Sequence, residues 1–132
     1  NGQNLGNALY GLQRMDESHD EVKLMLSALA HQLMTTTSKL SGLDIGMSLY
    51  GLRSMTGNRN SSLEVTILFG LLIQKIKMDP TLELKLGELS LAIIGVLRTS
   101  PWIRDDFLST LASKTKDMSF ITGTKSIVVN AK

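Results

Sequence analysis

The side chains of this chain that have the chemistry to react are few, and their spacing argues against catalysis. His19 and His31 are the two histidines, and neither stands in a metal-ligand spacing such as H-E-x-x-H. With no cysteine there is neither a disulfide framework nor a thiolate metal site. Asp105 and Asp106 open a helix-like pattern, where the helix dipole already accounts for acidic residues. Gly123-Thr124-Lys125-Ser126 has the end of a phosphate loop but lacks its earlier glycine and the glycine before lysine. Asn60-Ser61-Ser62 fits a glycosylation sequon, although a capping role is reason enough for Ser61. No enzyme activity, metal or cofactor is therefore expected.

The elements that carry these residues follow from a duplication. Residues 9–15 read LYGLQRM and residues 49–55 read LYGLRSM. Aligning Gly2 with Gly42 also aligns Leu5 with Ile45, Gly6 with Gly46, Gly11 with Gly51 and Met15 with Met55. Leu5, Leu9 and Leu12 recur at i, i+4, i+7, one face of a helix and not the alternation of a strand. In this helix A, Asn4, Asp44 and, in a weaker third copy, Glu88 are expected just before the apolar face, the first two as N-caps.

A second pattern, helix B, follows each copy. Ser18 with Glu21 and Ser61 with Glu64 read as capping boxes, and Ser100-Pro101 supplies a hydroxyl with proline at the first helical position. Behind them Val22, Met25, Leu26, Leu29 and Leu33 are matched by Val65, Leu68, Phe69, Leu72 and Ile76, with Phe107, Leu108 and Leu111 in the third copy. The unit is a helical hairpin of roughly 40 residues, within the range of α-solenoid repeats. Residues 1–41, 42–83 and 84–117 are expected as three hairpins, and 118–132 as a truncated fourth or a tail, with SIVV near the end the one strand-like stretch. Gly11, Gly51 and Gly95 recur at one helical position at a cost of up to about 1 kcal/mol each, which implies close approach of a neighbouring helix.

A chain of 132 residues, 42% hydrophobic and 20% charged, is large enough for one domain with a real core. The apolar run Leu89 to Leu97, broken by Ser90 and Gly95, is far short of the roughly 20 residues that span a bilayer, so no membrane insertion is expected. The net charge of +2 permits a polyanionic partner without demanding one. The third helix A is apolar nearly all round, which predicts that residues 118–132 or another chain covers it. Both ends look cut from a longer repeat protein, and any targeting leader is expected to be removed or outside this stretch.

The string NLGNALYGLQRM, with EVKLMLSALAHQL behind it, resembles the octotricopeptide and heptatricopeptide repeats of organelle RNA-binding proteins, which often carry a RAP domain. Leu5, Asn7, Leu9, Tyr10, Gly11 and Leu12 carry the likeness, with Leu26, Leu29 and Ala30 answering in the second helix. Glycine stands where those repeats commonly have alanine, and Asn7 becomes Met47 and Leu91. The resemblance implies a right-handed superhelix, single-stranded RNA as partner and a mitochondrion or plastid as setting. It also implies that helix A lines the concave surface, so that Asn7, Gln13 and Arg14 in the first unit, Arg53 and Ser54 in the second and Arg98 in the third meet RNA.

Arginine pairs with phosphate or stacks on a base, and asparagine or glutamine bonds base edges. Lys75, Lys77, Lys114 and Lys116 recur at the ends of helix B; they suit phosphate, and equally the helix dipole. Taken as residues alone, all of these also read as an ordinary solvated face. The acidic cluster Asp16, Glu17, Asp20 and Glu21 interrupts any continuous basic groove, and favours the alternative of a protein-interaction scaffold.

Overall fold

The computed structural model describes residues 1–55 and 62–115. Among these residues the fold is all-α: α1 (Gly2–Tyr10), α2 (Asp20–Thr35), α3 (Gly42–Gly51), α4 (Leu63–Met78), α5 (Leu86–Val96) and α6 (Pro101–Ser113), with a turn of 3-10 helix at Arg53–Met55. The strand-like SIVV stretch and the predicted Ser61 cap lie outside the described residues. No strand forms among those described; one isolated parallel bridge joins Leu84 to Thr115, where the Leu84 N–H donates to the Lys114 carbonyl at 2.9 Å.

The odd-numbered and even-numbered helices make two layers. In one, α3 packs between α1 and α5; in the other, α4 packs between α2 and α6. Most of the predicted apolar positions of both patterns meet between the layers, while Met15 and Met25 are exposed. Leu9, Leu49 and Leu89 are fully buried, as are Leu26, Leu68 and Phe107, and Phe69 meets Phe107 edge to face at 5.7 Å.

The recurrent glycines are where the first layer closes. A Cβ on Gly51 would overlap the backbone of Leu9 and Tyr10, and one on Gly95 would overlap Leu49 and Tyr50. Each glycine thus admits the backbone of the helix before it, the close approach that a side chain forbids. Gly11 is different: its nearest atoms are carbonyls of its own turn, Ala8 at 3.3 Å and Asn7 at 3.5 Å.

Three capping expectations are corrected. Asn4 and Asp44 are not N-caps; the caps are Asn1, which accepts from the Asn4 amide, and Ser41, which forms a reciprocal box with Asp44. Glu88 in α5 likewise accepts from the Lys85 amide at 2.9 Å, so all three residues sit one turn inside their helices. Ser18 does not cap α2: Asp16 Oδ1 takes the Ser18 amide at 2.9 Å, and the helix starts after His19 without a side-chain cap. The Asp16 carboxylate, two residues away, thereby occupies the amide that Glu21 would take in a capping box. In the second pair the described cap of α4 is Ser62, which accepts from the Val65 amide.

Leu89, Ala92 and Val96 of α5 are buried, but Leu86, Ile94 and Leu97 are about half exposed. Residues 118–132, expected as a cover, lie outside the described residues.

Candidate nucleic-acid interface

Each hairpin turns from the first layer to the second at one end of the molecule, and returns at the other. At the first end Tyr10 and Tyr50 stack, ring centres 5.8 Å apart and planes 19° from parallel. The Arg53 guanidinium lies over the Tyr50 ring at 3.7 Å. It is held there by hydrogen bonds donated to the Tyr50 carbonyl at 2.9 Å and to Gln13 Oε1 at 3.2 and 3.3 Å. Repeat units one and two are thereby joined across the top by a tyrosine pair, an arginine and a glutamine. The repeated sequence LYGL makes the stack possible, because it places both tyrosines at the same turn of neighbouring helices.

Four of the residues expected to meet RNA converge here. Gln13, Arg53, Ser54 and Arg98, with Ile94 and Leu97, line one concavity of about 320 Å³. Ser54 and Arg98 are exposed, while Gln13 and Arg53 are half-buried. Because Gln13 spends its carbonyl on Arg53, its amide NH₂ is the group left to face a ligand. Ile94 and Leu97 are not expected as site residues from the sequence. Ile94 stands in α5 where Tyr10 and Tyr50 stand in α1 and α3, so the repeat itself held that signal.

The other expected residues are not brought to this place. Arg14 is exposed but does not line the concavity, and Asn7 is exposed on α1. Lys75, Lys77 and Lys114 lie at the opposite end, and each is engaged. Lys75 Nζ donates to the carbonyl of Thr36, the C-cap of α2, at 3.1 Å, and Lys114 Nζ to that of Asp79, the C-cap of α4, at 2.7 Å. One device is thus used twice, a cation on one helix closing the carbonyl end of the helix before it. Lys77 pairs with Asp106 at 2.9 Å, with both side chains about half exposed. Lys116 lies outside the described residues.

A larger groove of about 600 Å³ opens at that same end, lined by Met34, Leu40, Leu71, Lys75, Met78 and Leu82 among others. On its border, Asp79 accepts from the hydroxyl and then the amide of Thr81, with Lys39 and Lys114 near. These interactions hold its carboxyl below the usual carboxylate range.

The acidic cluster is split between two roles. Glu17 is buried and accepts from the Ser62 amide at 2.8 Å, closing the start of α4 from the first hairpin's turn. Nothing in its sequence setting distinguishes it from Asp16, Asp20 and Glu21, which stay exposed. Asp16 is held below the ordinary carboxylate range by the Ser18 amide and then its hydroxyl, with His19 adding a smaller attraction.

Among the described residues no group of three or more metal-ligating side chains comes together, and no helix is long and apolar enough to cross a membrane. Compared with known proteins, the chain matches no family model, no curated protein and no solved structure.

Proposed function

We propose that the protein is a non-catalytic binding module, an α-solenoid of three stacked helical hairpins, whose ligand is single-stranded RNA held at the concavity beside the tyrosine stack. The observation that carries this reading is the convergence of Gln13, Arg53, Ser54 and Arg98 from three successive units on one surface. Arg98 supplies an exposed cation for phosphate; the Gln13 amide and Ser54 hydroxyl supply hydrogen bonds for a base edge or a 2′-hydroxyl. Ile94 and Leu97 offer the apolar face against which a base packs. Arg53, fixed over Tyr50, acts as a preset wall. The likeness of the repeat to organelle RNA-binding proteins supports a setting in RNA processing, stability or translation in a mitochondrion or plastid.

The reading as a solenoid is supported by devices that recur with the unit: glycine against the preceding helix and lysine on the preceding C-cap. A second reading, a protein-interaction scaffold, is favoured by Leu86, Ile94, Leu97 and Trp102, apolar side chains that reach the surface of the third unit.

Fluorescence anisotropy with labelled random-sequence single-stranded RNA, run at two salt concentrations, separates the two. RNA recognition predicts binding that weakens as salt rises, and a shallower salt dependence for Arg98→Ala, which removes about one phosphate contact. Absence of binding at micromolar protein, or binding indifferent to salt and to Arg98, leaves the scaffold.

A further inference from the structure

Three positions mark the face that each helical pair turns toward the pair before it. In the first layer it is the glycine: Gly51 receives the backbone of α1 and Gly95 that of α3. In the second layer it is the apolar slot filled by Leu68 and Phe107, both 0% exposed. At the carbonyl end it is the lysine, Lys75 on Thr36 and Lys114 on Asp79.

The first pair carries the same face, and there it is open among the described residues. Gly11 has only its own turn around it, Met25 in the slot of Leu68 and Phe107 is 43% exposed, and Gln32 in the slot of the lysines is exposed. Glycine at Gly11 therefore serves no contact within the described residues, although its two equivalents are each required by one.

The opposite face is not preserved in the same way. Gly2 and Gly6, like Gly42 and Gly46, face the next helix so closely that a Cβ on Gly42 would come within 2.6 Å of the Glu83 carbonyl and one on Gly46 within 2.8 Å of the Glu88 carbonyl. Counted from the caps Ser41 and Lys85, the third pair has Leu86 and Ser90 at these two places. A leucine and a serine there forbid the approach that glycine allows, so a second copy of this chain cannot offer its third pair to the first pair of another.

We infer that the flank of α1 and α2 that bears Gly11 and Met25 is a docking surface for one further helical pair, whose first helix carries glycines at the places of Gly42 and Gly46. The inference rests on the stacked-hairpin architecture proposed above and is independent of RNA. Its occupant is fixed by the two interfaces already inside the molecule, of which this flank is the third copy, uncovered among the described residues.

The test places a second copy of residues 1–40 directly before Asn1, so that Asn1 follows Leu40 as Ser41 does in the chain itself, and follows urea unfolding by circular dichroism. Docking predicts a single transition with its midpoint above that of the 132-residue chain. Gly11→Leu removes the gain in the extended chain and does not lower the midpoint of the 132-residue chain, whereas Gln32→Lys raises the midpoint of the extended chain alone. An unchanged midpoint, a separate transition of the added segment, failure to fold cooperatively, or a gain that survives Gly11→Leu overturns the inference. So does self-association of the 132-residue chain abolished by Gly11→Leu, because the occupant is then a second copy. Gly51→Leu in the 132-residue chain is the control: if it does not lower the midpoint, the stacked architecture itself fails.

Discussion

At the scale of single residues, identical types at equivalent positions have different worth, and the neighbouring helix decides which. Gly51 lies against the backbone of Leu9 and Tyr10, which cannot turn aside as a side chain does. Gly51→Ala is expected to cost about 1–3 kcal/mol through overpacking. Gly11→Ala, in a helical conformation with φ −61° and ψ −19°, is expected to be neutral or to gain about 0.4–1 kcal/mol from a less flexible unfolded chain. Urea midpoints of the two variants check the contrast, and equal effects would show that the close approach is unimportant. The requirement at Gly51 and Gly95 is legible in the sequence, because a glycine repeated inside a helix pattern needs a cause. The burial of Glu17 is not, because a carboxylate in a turn gives no sign of an amide that a later helix brings to it. Nor is the fixing of Arg53, which needs Tyr50 and Gln13 placed by two different helices.

The helices themselves are legible from apolar spacing, and their beginnings are not. Asn1, Ser41 and Lys85 all start helices one turn before the first strong apolar residue, since Gly2, Gly42 and Leu86 open the first turn and only Leu5, Ile45 and Leu89 are the first leucine-like side chains to reach the core. The turn between α4 and α5 shows what such an end depends on. Asp79, the C-cap of α4, accepts from both groups of Thr81 and stands near Lys39 and Lys114, so its carboxyl ionises more readily in the folded chain than at the ordinary value of 3.8. A depressed folded-state value means that the ionised group adds stability above pH 3.8, and that this contribution disappears as pH falls through the lower folded-state value. Asp79→Asn keeps an acceptor for Thr81 but removes the charge. The variant is expected to unfold at lower urea than the parent near neutral pH and to match it in strong acid; a difference unchanged across that range would mean the charge contributes nothing.

Across the whole molecule, stability is expected to be greatest in α3 and α4 if the hairpins stack as proposed, because α3 is covered by α1 and α5 while α4 is covered by α2 and α6. Among the described residues the outer helices have a covered and an exposed side: Met25 on α2 and Trp102 on α6 are exposed, whereas Leu49 on α3 and Leu72 on α4 are fully buried. When units contact only their neighbours, an end unit opens by breaking one interface and a central unit by breaking two. Amides open with free energies that follow this cost. Hydrogen exchange read by mass spectrometry should therefore find the slowest peptides in α3 and α4, with α1 and α6 exchanging faster under the same conditions. A bundle built around one shared centre has no such gradient, and equal protection of all six helices would count against the stacked hairpins. Protection greatest in α1 or α6 would reverse the order of neighbours on which the stack depends.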